Sequence, residues 1–264
     1  GALGGAGTIE FAGGDLELAN DTALTFSRTA VSVLSSAAIT VDRLTSGAGV
    51  THTVTAPVTL AIGNQQLSVN GGPLVTSGTM GLTFGPVTLS GSPTFVVNNP
   101  VNGGVTLLTI GAATLDTNTI TVKGSGNLTA SGVLAAGLGG GGLTLDATYT
   151  GTNTLGAANT YSGATTVNGG RLKGGVASVL PAALTSGNLV LGASGTFDMG
   201  GFVQGTAGLV GSGTVDNSTG TGPFVFTVGT NLQSTTFSGV ITNTVGTVAL
   251  TKIGAGTLTL SGNS

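Results

Sequence analysis

The sequence predicts an all-β chain wound as a parallel β-helix, a solenoid of about a dozen rungs. Three observations predict it. Gly supplies 50 of the 264 residues, a density that suits repeated tight corners. Short alternations of apolar and polar residues, punctuated by Gly, Asn and Ser, run along the whole chain. Bulky core residues are scarce, with nine Phe, two Tyr and no Trp, so the interior must be filled by small aliphatic side chains. Rungs of roughly 20 residues stacked about 4.8 Å apart would use the full length.

In chain order, Thr8-Ile9-Glu10-Phe11, Asp15-Leu16-Glu17-Leu18 and Ala23-Leu24-Thr25-Phe26 alternate with period two. Val87-Thr88-Leu89, Val105-Thr106-Leu107 and Leu258-Thr259-Leu260 do the same. That is the mark of strands with one buried face. Asn70-Gly71-Gly72, Asn102-Gly103-Gly104 and Asn168-Gly169-Gly170 read as corners, because Asn and Gly tolerate positive φ. Hairpins use the same dipeptides, so an antiparallel sandwich competes. Very short strands, dense Gly and unbroken spacing favour the solenoid. Ala177 to Ala183 reads as a helical turn or an excursion, and Pro181 suits a loop better than a strand.

Composition narrows the function. Charged residues make up only 6 % of the chain and the formal net charge is −3. Mean hydropathy is +0.47, so the chain can fold, since disorder needs low hydrophobicity with high charge. The six basic residues (Arg28, Arg43, Lys123, Arg171, Lys173, Lys252) are scattered, and no nucleic-acid partner is expected. No 18-residue stretch lacks Gly, Thr, Ser or Asn, and aromatic girdles cannot be built, so membrane insertion by this segment is not expected. Without Cys, disulfides and thiolate metal sites are excluded. Gly1-Ala2-Leu3-Gly4-Gly5 does not read as a leader, and any export signal is expected outside this window.

Longer-range repetition divides the chain. Leu250-Thr251-Lys252-Ile253-Gly254-Ala255-Gly256-Thr257-Leu258-Thr259-Leu260-Ser261-Gly262-Asn263-Ser264 has a looser earlier copy in Gly141-Gly142-Leu143-Thr144-Leu145, leading to Thr154 through Gly163. The chain is expected to be a window of a larger protein. Leu250 to Asn263 resembles the first half of the autotransporter-associated β-strand repeat, also called the passenger-associated transport repeat. Asn159-Thr160-Tyr161-Ser162-Gly163-Ala164-Thr165-Thr166-Val167-Asn168-Gly169-Gly170-Arg171-Leu172 resembles the second half. Gly187-Asn188-Leu189-Val190-Leu191 through Gly211-Ser212-Gly213-Thr214-Val215 is similar to the usual continuation. Residues 155–158 depart from it in lacking the Leu-Ser-Gly step.

The resemblance is motif-level over 150–264 and compositional over 1–149, within what is expected to be one continuous solenoid. It implies a right-handed β-helix from a large secreted protein of the bacterial cell surface. The implied role is structural or adhesive, as stalk, filament or envelope component. Implied partners are neighbouring repeats or identical subunits stacked end to end, with surface glycans as candidate contacts. In such a scaffold Leu258, Leu260, Val167 and Leu172 would point inward, and Gly163, Gly169 and Gly256 would sit at corners too tight for a Cβ. Asn159 and Asn168 would form side-chain ladders, and Tyr161 would pack at a corner.

No catalytic, cofactor or metal residue is assigned, and the chain reads as a non-enzyme. His52, the single His, lies in Thr51-His52-Thr53 on what reads as an outward face. Asp15 and Glu17 share a strand face, with Glu10 a candidate neighbour one rung away, while Asp42-Arg43 should point to opposite faces. The rival reading, a polysaccharide-active enzyme on a β-helix, needs three or more acids converging in one groove. Gly13-Gly14-Asp15 is a lone fragment of a calcium repeat, and the Gly137–Gly142 run lacks a phosphate loop's Lys-Ser/Thr. The strongest exposed signal is threonine at alternate positions. Thr51, Thr53 and Thr55, with Thr117, Thr119 and Thr121, are candidate surface-contact ladders. A second rival, an ice- or surface-binding module, predicts a flat face with such threonines aligned across adjacent rungs.

Overall fold

The computed structural model describes residues 7–60 and 64–262, so the segment Gly1 to Gly5 and the closing Asn263-Ser264 lie outside the described residues. Every strand pairing among those described is parallel. Strands too short to stand alone stack on their equivalents one turn away, which makes a β-solenoid of about ten turns. An antiparallel sandwich is excluded.

Three faces surround the core. Face I is a six-stranded sheet running from Thr8–Phe11 to Leu134–Ala135. A three-stranded sheet, Gln204–Thr206, Phe224–Val228 and Val248–Lys252, later takes the same place in the order of each turn. Face II has eleven strands, from Asp15–Ala19 to Leu258–Leu260. Face III has ten, from Thr25–Phe26 to Val240–Ile241. The count falls short of a dozen because turns advance by as many as 30 residues (Ala38 to Ser68), although others advance by as few as 18 (Asp198 to Asp216). Extra chain leaves at the corners, as in the small added pair Gly47–Ala48 with Val75–Ser77.

Aliphatic columns fill the interior. On face II, Leu67, Phe95, Val122, Leu145, Val167 and Leu191 are successive register partners, all buried. Each such side chain contributes roughly 1.5–3 kcal/mol by leaving water. Val167 and Leu172 point inward as expected. Leu258 is only half-buried and Leu260 is 51 % exposed, because their strand has a neighbour on one side alone. Leu143-Thr144-Leu145 and Leu258-Thr259-Leu260, the two similar segments, both lie on face II.

Glycine corners follow the expected logic. A Cβ on Gly163 would stand 2.5 Å from the Gly141 carbonyl oxygen one turn below. On Gly169 it would meet the Ala147 carbonyl at 2.8 Å, and on Gly256 the Gln233 carbonyl. Face I loses its strand between Leu134–Ala135 and Gln204–Thr206, where residues 156–164 and 175–188 cross as loops. Ala177 to Ala183 is an excursion without helix, and it buries Val179, Leu180 and Pro181.

Candidate functional site

Threonine columns are the most ordered feature of the outer surface. On face III, Thr25, Thr53, Thr83, Thr109, Thr129 and Thr154 are partners on six successive turns. All six point outward and are at least partly exposed. Unbroken register places their hydroxyls about 4.8 Å apart along the axis. Lys173, Asp198 and Asp216 continue the column beyond them. Face II carries a shorter run, Thr94, Thr121, Thr144 and Thr166.

The two triads expected from sequence are not brought together. Thr51 and Thr53 lie in the face III strand Thr51–Val54, and Thr55 just follows it. Thr119 and Thr121 lie on face II in Thr119–Lys123, and Thr117 occupies the preceding turn. Of the six, Thr53 and Thr121 join the long columns. The columns run across turns rather than along strands, and irregular rung lengths hide them from any fixed spacing in sequence. Beside the face III column, Thr51, Gly81, Leu107 and Asn127 form the adjacent one. The hydroxyls therefore form a single file rather than a two-dimensional array.

His52 faces inward, a correction to the outward reading. Thr51 and Thr53 take the outer positions, so period two sends residue 52 into the core, where it is buried. Its Nδ1 accepts the Leu24 N–H at 3.2 Å, and the ring meets Phe26 edge-on at 6.3 Å. Nε2 is buried without a hydrogen-bond partner. Burial pushes the imidazole pKa down, with the Asp42 backbone carbonyl working against it.

The acids do not converge. Glu10 is on face I while Asp15 and Glu17 are on face II, so the expected trio does not share a face. Asp42 is buried and accepts N–H groups from Arg43 at 2.8 Å and Leu74 at 3.1 Å, binding its corner to the next turn. Among the described residues no three His, Asp or Glu side chains form a group fit for a metal ion. An open depression on face I is lined by Pro86, Thr88, Ala112, Thr114, Val133 and Ala135, none of them titratable.

One acidic pair is invisible to the sequence reading. Asp198 and Asp216 are register partners on adjacent turns, both buried, with Arg171 Nη1 at 2.9 Å and 3.5 Å from their Oδ2 atoms. Asp198 also accepts the Ser218 hydroxyl at 2.6 Å and the N–H groups of Ser218 and Gly200 at 3.1 and 3.0 Å. Asp216 accepts the Thr244 N–H and hydroxyl at 3.0 and 2.9 Å. Burial raises the Asp198 pKa, but these hydrogen bonds and Arg171 outweigh it and hold the carboxyl below its ordinary value. An ionised, fully bonded carboxylate is a turn clamp, the opposite of the raised general acid that glycoside cleavage requires.

Asparagines work differently from the expected ladders. Asn159 bonds backbone groups of the turns on either side, and Asn168 makes no side-chain hydrogen bond among the described residues. Side-chain ladders do occur elsewhere: Asn98 donates to Asn70 at 2.9 Å, and Asn231 to Asn188 at 2.8 Å. Tyr161 is fully buried, its hydroxyl 2.6 Å from Thr165 Oγ1, and burial drives its pKa up. No family model, curated protein or solved structure matches this chain, so its function is argued from its own residues.

Proposed function

We propose that this chain is a structural and adhesive segment of an exported bacterial surface protein. It acts as a rigid stalk that contacts neutral surfaces through the face III threonines. The observation that carries the reading is the unbroken register of that face. Ten stacked strands make a rod of roughly 45–50 Å, and six of its turns present one hydroxyl each at the same place. The six strands that carry those threonines contain no Asp, Glu, Lys or Arg. Such a file suits an extended neutral polymer such as a glycan laid along the axis, and the mixed neighbouring column makes it a poor template for a crystal lattice. The repeat resemblance of residues 150–264 supports export to the cell surface.

Two measurements test this. Antibodies against the chain should label intact, unpermeabilised cells of the source organism. The purified chain should be retained on immobilised neutral polysaccharide, and a Thr83→Asp, Thr109→Asp variant should be retained severalfold less with an unchanged β-sheet spectrum. Labelling only after permeabilisation would refute surface display. Equal retention of the variant would refute the adhesive face.

A further inference from the structure

We infer that Asn102 is a site of spontaneous covalent modification, and that the fold shields the chain's other two Asn-Gly pairs. The chemistry is intramolecular. The Gly103 backbone nitrogen attacks the Asn102 side-chain amide carbon, the C–N bond to the amide nitrogen breaks, and ammonia leaves. The cyclic imide then adds water and opens to aspartate or isoaspartate. Gly at the following position removes the Cβ that hinders the attack, and Asn-Gly occurs at 70–71, 102–103 and 168–169. Ring closure further demands a free nitrogen and a backbone able to swing.

Only one pair joins a free nitrogen to an exposed backbone outside any strand. Asn70-Gly71 ends the strand Gln66–Gly71, with Asn70 paired to Thr40 below and Asn98 above. The Asn70 amide oxygen is held by the Asn98 amide at 2.9 Å. At 168–169 the Gly169 N–H also donates to nothing among the described residues, so shielding there rests on burial and a fixed backbone. Gly169 is buried, Asn168 is half-buried, and the Asn168 N–H is tied to the Leu145 carbonyl at 2.9 Å. Asn102 and Gly103 instead lie at the exposed tip of the turn joining Thr94–Asn98 to Val105–Ile110. The Gly103 N–H donates to nothing among the described residues, and its φ of 112° is open to glycine alone. A single side-chain bond, Asn102 Nδ2 to the Pro73 carbonyl at 2.8 Å, steadies the amide.

Conversion would replace that donor with a carboxylate facing the Pro73 carbonyl. It would also place a negative charge in the uncharged stretch between Arg43 and Asp116, at the corner feeding the strand that carries Thr109. The site thus becomes a slow change of surface charge near the threonine column.

The test is peptide mapping of the native chain and of a urea-unfolded control, incubated side by side at mildly alkaline pH until the control has converted. In the native chain Asn102 should convert at least about tenfold faster than Asn70 or Asn168, since a shielded site reacts only through local opening. In the unfolded control the three rates should converge to within a few fold. Native conversion at Asn70 or Asn168 as fast as at Asn102 would overturn the inference. So would an Asn102 that stays amidated in the native chain.

Discussion

Asn159 and Gln204 clasp the backbone of Val179 from opposite sides. Asn159 Nδ2 donates to the Val179 carbonyl at 2.8 Å, and Gln204 Oε1 accepts the Val179 N–H at 3.0 Å. Asn159 also accepts the Leu134 N–H at 2.8 Å, and Gln204 donates to the Val176 carbonyl at 2.8 Å. All of this happens where face I has no strand. Two buried amides stand in for the missing ladder, so the excursion of residues 175–188 can cross the core wall without stranding its polar groups.

Removing either amide should therefore cost more than an ordinary hydrogen bond. Asn159→Ala leaves the Leu134 N–H and Val179 carbonyl buried and unpaired, and is expected to destabilise by about 2–4 kcal/mol. Gln204→Ala should cost a similar amount. The double variant should lose less than the two together, because both hold one residue. A double-mutant cycle from urea unfolding measures this, and strict additivity would contradict a shared clasp.

Asn153 makes the converse case. It is fully buried in the strand Thr152–Leu155 between register partners Leu128 and Leu172, and neither amide atom has a partner. Asn153→Leu keeps the branched side-chain shape and removes the unpaired groups, so the unfolding midpoint should rise, by about 1–2 kcal/mol in stability. A fall would show that the amide is paired in solution.

His52 predicts acid sensitivity in the first turns. Its pKa is lowered from 6.5 in the folded chain, so below that value the unfolded state binds more protons. The stabilisation is complete above pH 6.5 and is lost as pH falls through the depressed folded value. A proton on Nδ1 would also face the Leu24 N–H, donor against donor. Amide exchange at Leu24 and Phe26, corrected for the slower intrinsic exchange in acid, should accelerate on acidification to pH 5 while Val190 and Val215 stay protected. In His52→Asn, whose side-chain oxygen can still accept the Leu24 N–H, this acceleration should vanish. If it persists in that variant, His52 is not its source.

These residues also separate what is legible in the sequence from what is not. Period-two alternation at Thr8–Phe11 and Leu258–Leu260 reveals strands because each side chain's direction is local. The corner glycines are legible for the same reason. The Thr25–Thr154 column is not, since it depends on which residue lies one turn away, and turns of 18 to 30 residues scramble that relation. His52 is easily misplaced because three consecutive polar residues mask the alternation, although Thr51 and Thr53 imply it. Asp198 and Asp216 stand 18 positions apart, and only the stacking makes them neighbours.

Stacking distance itself can be tested with a pair of glycines. At Gly163 an added Cβ would lie 2.5 and 2.6 Å from the carbonyl oxygens of Gly141 and Gly140. Both are backbone atoms fixed by the turn below, and the Gly163 N–H already bonds the Gly141 carbonyl at 2.7 Å. Neither neighbour can rotate away, so Gly163→Ala must push two turns apart, at an expected cost of about 2–4 kcal/mol. Gly222 is the control, because a Cβ there would have nothing within 4 Å and its φ is not positive. Gly222→Ala should be neutral, or stabilising by up to about 1 kcal/mol, because it only restricts the unfolded chain. Urea unfolding of both variants beside the parent decides the matter. Equal midpoints would mean that the turns near Gly163 are not in backbone contact, and with that contact would go the rigidity a stalk requires.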